Sequence, residues 1–158
     1  RPENADPERF IRELKEAAQG EDLPPTLRRF LNWGEAREMV AGGMAIGSHT
    51  HSHNVLSQLA PDRQRQELAQ SRAVMREELG IEADTLSYPV GMTGSFSDRT
   101  QELAREEGYR AAFSFYGGTN LRGKTRAHDV KRIGVGDQSW PRFQVQIAVC
   151  KCTARYEP

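Results

Sequence analysis

Residues 44–53 read Met-Ala-Ile-Gly-Ser-His-Thr-His-Ser-His, a short apolar run followed by three histidines in five residues. The whole chain has only 4 histidines, so most of its imidazoles are concentrated here. We expect Met44–Ser48 to form a buried strand, because the run is short, apolar and followed by polar residues. Reactive groups in α/β domains lie at the carboxyl ends of such strands, so any chemistry is expected to be centred on this stretch.

Helices and strands are expected to alternate after this stretch. A helix from Pro61 to Gly80 precedes a strand at Thr85–Tyr88, and a helix at Asp98–Glu107, capped by the preceding serine, precedes a strand at Tyr109–Phe115. Such alternation predicts an α/β fold in which a parallel sheet is covered by helices.

The two ends of the chain are harder to assign. We predict a helical insertion or linker at residues 1–29, ahead of a main domain at 30–158. A capping box at Asn32–Glu35 predicts a short helix at the start of that domain. Near the carboxyl end, alternating apolar residues over Phe143–Val149 are typical of a strand, whereas Ser139-Trp-Pro141 is typical of a helix start, and both assignments stay open.

Composition excludes several classes of function. The 22 basic and 22 acidic residues give a net charge of zero, which disfavours binding to nucleic acid or to anionic membranes. No apolar run approaches the roughly 20 residues of a membrane helix. Residues 1–4 lack signal-peptide character. It stays open whether the protein is located in the cell envelope or in the cytoplasm of a bacterium. Cys150 and Cys152 are too close in sequence for an unstrained disulfide, and their role stays open.

The spacing of the histidines indicates half of a metal site. His49 and His53 are four residues apart, which on one helical turn places both imidazoles on the same side, with His51 pointing elsewhere. Such a pair is a familiar half-site for zinc or another divalent metal. In an extended segment the three rings would share one side, but at a spacing too wide for tight chelation.

At this point the sequence resembles a known family, the polysaccharide deacetylases with NodB homology (carbohydrate esterase family 4). Residues 45–53 resemble its second motif, in which His-Ser/Thr-x-x-His follows a Gly-containing strand. Residues 86–91, Leu-Ser-Tyr-Pro-Val-Gly, resemble the third motif, a Pro-x-Gly turn that ends the next strand. Residues 30–39 and 100–112 resemble the elements before and after these motifs. The resemblance covers Leu27–Ile133 and implies a partial (β/α) barrel of the NodB-homology type.

The resemblance also implies roles for individual residues. Similar proteins bind a divalent metal, often zinc, through the two motif-two histidines, here His49 and His53, together with an aspartate, while a second aspartate is the general base. The backbone N–H between the proline and glycine of motif three, here that of Val90, helps to stabilise the tetrahedral oxyanion. The implied activity is metal-dependent hydrolysis of N- or O-acetyl groups on a polysaccharide or oligosaccharide. The residues implied to contact the substrate are Tyr88, Pro89 and Gly91.

Parts of the family pattern are absent. No Thr-Phe-Asp-Asp motif precedes His49, so the base and the third ligand are expected outside this chain, and the late Leu-x-His motif is not visible. Ser87 stands where motif three usually has an arginine. We therefore expect the carboxyl-terminal portion of a longer deacetylase that binds metal weakly or not at all and has reduced or no activity alone. An incomplete barrel would expose strand edges, which favours a homodimer.

Two other functions stay open. One is a noncatalytic carbohydrate-binding or scaffold domain, and the other is a metal-responsive interaction module built on the clustered histidines. The sequence also leaves open which acetylated sugar is the substrate and which metal is bound. The aromatic residues that would serve the carbohydrate-binding domain are Tyr88, Phe96, Tyr116 and Trp140.

Overall fold

The computed structural model describes Arg12 and residues 30–153, with side chains described as far as residue 149. The chain divides into two compact units, residues 1–32 and 33–158. The helix expected within residues 1–29 and the two cysteine side chains lie outside this description, and the insertion or linker at 1–29 stays a prediction. The helices are α1 (Trp33–Ala41), α2 (Pro61–Leu79), α3 (Asp98–Glu106) and α4 (Trp140–Thr153), with a 3-10 turn at Leu56–Gln58; the strands are β1 (Thr85–Ser87) and β2 (Ala111–Phe113).

Local signals in the sequence set the bounds of the main helices. Gly80 ends α2 in the left-handed conformation, with φ of 66°, and its N–H donates to the Arg76 carbonyl. At the start of α3, the Thr100 N–H donates to Ser97 Oγ at 3.2 Å and the Ser97 N–H donates to Thr100 Oγ1 at 3.0 Å. This reciprocal pair is a capping box, which confirms the expected start. The open assignment at the carboxyl end is resolved as the helix α4.

The sheet is parallel, as predicted. Strand β1 pairs with β2 so that Leu86 lies opposite Ala112, and the chain crosses between the two strands through α3. Ser48 pairs in parallel with Leu86, and Val130 pairs in parallel with Phe113. Four successive segments of the chain therefore run side by side in the same direction, which is the order that a (β/α) barrel requires.

The strand expected at Met44–Ser48 is wrong except at its last residue. The Ser48 N–H donates to the Thr85 carbonyl and the Ser48 carbonyl accepts from the Ser87 N–H, both at 2.8 Å, but Met44 is 59% exposed. Along residues 30–153, no second strand pairs with the free edge of this segment, so the run lacks the neighbour that would extend and bury it. The homodimer expected from such an edge stays a prediction.

The apolar core lies between β1, β2 and the helices α2 and α3. The buried face of α2 is more polar than apolar, since Gln64, Glu67 and Ser71 are buried alongside Leu68 and Met75. None of the helices described in residues 30–153 is long and apolar enough to cross a membrane. The residues of the main core cluster are Leu56, Leu68, Leu86, Tyr88, Leu103, Ala104, Tyr109 and Ala112.

Candidate active site

The two motif histidines lie together at the carboxyl end of the Ser48 segment. The ring centroids of His49 and His53 are 4.7 Å apart, with the ring planes at 73°. The helical turn expected for this spacing is wrong, because Thr50 and His53 have φ values of 68° and 58°. With two residues in the left-handed region, residues 49–53 form an irregular loop instead, the histidine loop. This loop brings the imidazoles together.

One hydrogen bond fixes the orientation of His49. Its Nδ1 lies 2.7 Å from the Ser87 carbonyl oxygen at the end of β1. Since a carbonyl can only accept, Nδ1 carries the proton when this bond forms, and Nε2 of the neutral ring keeps its lone pair. Histidines that bind metal are typically oriented by a bond of this kind. The same bond connects the histidine loop to the segment that contains the Pro-Val-Gly turn.

The histidine loop is also bound to helix α2 through a buried carboxylate. Glu67, 5% exposed, accepts hydrogen bonds from the N–H groups of His51 and Ser52, at 3.1 and 2.8 Å, and from Ser52 Oγ at 2.5 Å. Burial raises the pKa of the Glu67 carboxyl, but the hydrogen bonds from Ser52 and His51 lower it by more, so that this pKa lies below its ordinary value. The carboxylate is therefore charged when it holds the loop at neutral pH.

A second buried network holds the residue that precedes the histidines. Ser48 Oγ lies 2.7 Å from Ser71 Oγ on α2, and Tyr109 donates to Ser48 Oγ at 2.9 Å and to the Leu68 carbonyl at 3.0 Å. The Thr50 N–H donates to Ser48 Oγ at 3.3 Å. In the described part of the chain, the buried Thr50 hydroxyl has no hydrogen-bond partner, which marks the loop as a place where a polar contact is expected from elsewhere.

The Pro-Val-Gly turn is a strained bend beside β1. The Gly91 N–H donates to the Pro89 carbonyl at 2.7 Å, which closes a three-residue turn around Val90, and Val90 has φ of 64°. A β-branched residue is a genuine outlier in this region, and such strain concentrates at functional sites. Val90 is 50% exposed, whereas Pro89 and Gly91 are buried. Within residues 30–153 the Val90 N–H has no backbone acceptor.

Tyr88 is a core residue in this structure. It is 1% exposed, stacks on Phe96 with ring centroids 4.0 Å apart, and donates to the His128 carbonyl at 2.9 Å. Burial raises the pKa of the Tyr88 phenol, as does the nearby charge of Asp129. Tyr116 extends this stack, but Trp140 lies on α4 with Phe143 as its ring neighbour. The substrate contacts of Tyr88, Pro89 and Gly91 stay predictions.

Sequence reasoning did not identify two side chains at this site. The sequence holds one signal for Glu67, a charged residue next to Leu68 on the buried face of α2 and one turn before Ser71, but this signal does not reveal its partners. Arg132 donates to Ser87 Oγ at 3.2 Å and to the Ser114 carbonyl at 3.0 Å, and its guanidinium lies 5.5 Å from the centre of the Phe115 ring. It follows Val130 in a short segment beside β2, which no local pattern had marked as part of the sheet.

The described side chains do not include a full set of metal ligands. No group of three or more His, Cys, Asp or Glu side chains comes together as a metal site among the residues described, 30–153 with Arg12. The structure thus brings together His49 and His53 at the carboxyl ends of the parallel segments, next to the strand that leads into the Pro-Val-Gly turn.

The paired imidazoles and the strained turn lie at the carboxyl ends of parallel strands, which is where α/β folds place their active sites. The family model of the polysaccharide deacetylases matches residues 8–112, which is more than half of the chain. The chain belongs to the polysaccharide deacetylase family, of the NodB-homology fold. Members of such a family are hydrolases that act on acetyl groups.

Curated and solved relatives agree with this assignment. The chain is 32% identical over 76 residues to the putative polysaccharide deacetylase YxkH of Bacillus subtilis (strain 168). The aligned residues are 48% of this chain and 26% of that protein. It is similar to the deacetylase PplD of Streptococcus pyogenes, solved in complex with acetate, with a TM-score of 0.65 and 24% identity over 73% of this chain and 50% of that one. IcaB from Ammonifex degensii gives a TM-score of 0.58 and 27% identity, over 74% of this chain and 53% of that one. The chain thus spans about half the length of these solved structures and a quarter of the curated relative.

Proposed function

We propose that this chain provides the metal-binding imidazoles and the oxyanion turn of a metal-dependent hydrolase that removes acetyl groups from a polysaccharide or oligosaccharide. The observation that carries the proposal is the hydrogen bond from His49 Nδ1 to the Ser87 carbonyl, 2.7 Å long. This bond leaves Nε2 free to bind a cation, and it ties the imidazole pair to the strand that leads into Val90.

The imidazole pair fits a divalent cation. A zinc–nitrogen bond is about 2.0–2.1 Å, so two rings whose centroids are 4.7 Å apart are close enough together to share one ion. His49 and His53 would hold the metal, with zinc as the first candidate. His51 is exposed, and its N–H is engaged by Glu67. The unpartnered Thr50 hydroxyl beside the pair supports a further polar group at this loop.

The roles of this chain follow from these positions. A bound divalent metal would polarise the acetyl carbonyl and lower the pKa of a water molecule. The Val90 N–H, which the strained turn directs away from internal hydrogen bonds, would donate to the oxygen of the acetyl group as negative charge develops there. Loss of one such donor in other enzymes costs about 3 kcal/mol of the activation barrier.

A carboxylate must complete the site. Two imidazoles leave a tetrahedral ion short of protein ligands and of negative charge, and neither can serve as the general base while it binds the metal. We propose that the missing aspartates lie outside residues 30–153, and that this chain alone binds metal weakly and has reduced or no activity.

Zinc titration of the chain, followed by calorimetry, tests the metal site. We expect weak binding that is lost in His49→Ala and in His53→Ala and unchanged in His51→Ala, which is the matched control within the same loop. Nanomolar binding by a monomer would show a third ligand in this chain and contradict the proposal of an incomplete site. Equal losses in all three variants would contradict the choice of ligands.

Acetate release tests the reaction. The gene product that contains this chain should release acetate from acetylated chitin-like oligomers, peptidoglycan or exopolysaccharide in the presence of zinc, and His49→Ala should abolish this release. Acetate release that persists in His49→Ala and His53→Ala, or in the presence of a chelator, would contradict the proposed mechanism. Sugar binding that needs no metal, without any hydrolysis, would support the carbohydrate-binding alternative instead.

A further inference from the structure

We infer that Glu67 is a positioning residue, whose carboxylate holds His49 and His53 in the arrangement in which both rings reach one cation. The inference rests on the proposed metal site and extends it to a side chain on helix α2. In the described structure the hydrogen bonds of Glu67 are to His51 and Ser52 and not to either of the two ligand rings. Its effect must therefore pass through the backbone of His51 and Ser52.

The loop needs an external support because its backbone is strained. Thr50 and His53 both occupy the left-handed region, with φ of 68° and 58°. Each such residue costs about 1–2 kcal/mol relative to its ordinary conformation. The residues between them, His51 and Ser52, are the ones that Glu67 binds. Hydrogen bonds to Glu67 from the residues between the two strained positions oppose the relaxation of both.

The interaction between the Glu67 carboxylate and the loop is strong for a single side chain. The carboxylate accepts from two backbone N–H groups and a hydroxyl, at 3.1, 2.8 and 2.5 Å, and Glu67 is 5% exposed. Hydrogen bonds to a charged acceptor are about twice as strong as neutral ones, and burial reduces competition from water. One turn further along α2, Ser71 binds Ser48 just before His49. Helix α2 thus anchors the loop at two successive turns of one face.

Three variants separate positioning from simple loss of stability. Glu67→Ala removes all three acceptor contacts. Glu67→Gln keeps the shape of the side chain, since its amide oxygen can accept the two N–H groups and the Ser52 hydroxyl can rotate to accept from the amide nitrogen. Met75→Ala is the control, because Met75 is buried on the same face of α2 but is not bonded to the loop.

The first measurement is made on the full chain without metal. The histidine rings, 4.7 Å apart between centroids, should give a nuclear Overhauser contact between the ring protons of His49 and His53. We expect this contact to weaken or vanish in Glu67→Ala and to persist in Glu67→Gln and Met75→Ala. Persistence of the contact in Glu67→Ala would overturn the inference.

The second measurement is the apparent zinc affinity of the same four proteins. Glu67→Ala should weaken zinc binding about 10- to 100-fold, as is typical when a group that supports a metal ligand is removed. Glu67→Gln should retain most of the wild-type affinity, and Met75→Ala should retain it despite a lower melting temperature. Equal losses in Glu67→Ala and Met75→Ala would overturn the inference. If wild-type protein binds no zinc, the proposed metal site fails, and the ring contact alone decides the role of Glu67.

Discussion

The substitution Gly91→Ala tests whether the Pro-Val-Gly turn is held in place by its surroundings. Gly91 has φ of 66°, and a Cβ atom there would lie 3.0 Å from both the Cβ and the backbone nitrogen of Phe115 and 3.3 Å from the Tyr88 carbonyl oxygen. Two of these atoms belong to the backbone, so neither a rotamer change nor a small side-chain shift removes the contact. The Phe115 N–H also donates to the Gly91 carbonyl at 2.7 Å, which prevents the two segments from moving apart freely.

Gly80 provides a matched control for the conformational part of the cost. It has the same φ, 66°, and a Cβ there would meet nothing within 4 Å. Gly80→Ala therefore reports the left-handed conformation alone, at about 1–2 kcal/mol of unfolding free energy. Gly91→Ala carries the same cost together with overpacking, which adds about 1–3 kcal/mol. We expect Gly91→Ala to destabilise the chain by about 2–5 kcal/mol, clearly more than the control.

Urea unfolding of the wild-type chain and the two variants, followed by circular dichroism, measures these costs. The difference between the two alanine variants is the steric contribution, because the conformational contribution is common to both. A Gly91→Ala variant that loses no more stability than Gly80→Ala would refute the reasoning, since the turn would then relax without resistance. In that case the turn could not hold the Val90 N–H at a fixed position, and its proposed role as an oxyanion donor would lose its physical basis.

The remaining predictions concern the supports of the site and of α3. Tyr109→Phe removes the buried hydroxyl that donates to Ser48 and should cost about 1 kcal/mol in urea unfolding, and an unchanged midpoint would show that this hydroxyl contributes nothing. Ser97→Ala deletes the cap of α3 and should cost about 0.5–2 kcal/mol, whereas Ser97→Asp, which keeps an acceptor, should not. The lowered pKa of Glu67 means that its contribution is fully present above the pKa of the unfolded chain and is lost as the pH falls through the folded-state pKa. Melting temperatures measured from neutral to acidic pH should therefore fall less steeply in Glu67→Gln than in wild type, and parallel curves would contradict this assignment.

Features determined by local chemistry could be predicted from the sequence. The end of α2 at Gly80 and the start of α3 at Ser97 depend on one residue or one reciprocal pair, and the structure confirms both. The parallel order of the segments followed from the alternation of strands and helices. The alternating apolar residues over Phe143–Val149 were misleading, because the helix α4 starts before them at Trp140.

Features that depend on distant parts of the chain could not be predicted. Only Ser48 of the expected first strand pairs, because the length of a strand depends on its neighbours and not on its own sequence. The loop between His49 and His53 uses left-handed backbone at a threonine and a histidine, although a β-branched residue such as threonine disfavours this conformation. Glu67 was missed for a related reason, since its partners lie 15 and 16 residues away.

Ser87 shows how this chain departs from the family pattern while keeping a similar local charge. Its carbonyl accepts from His49, and its hydroxyl accepts from the guanidinium of Arg132 at 3.2 Å. The sequence resemblance places an arginine at position 87, and here the guanidinium reaches the same residue from the segment that follows β2. The short Ser87 side chain thus binds a guanidinium that the Ser114 carbonyl and the Phe115 ring also hold in place.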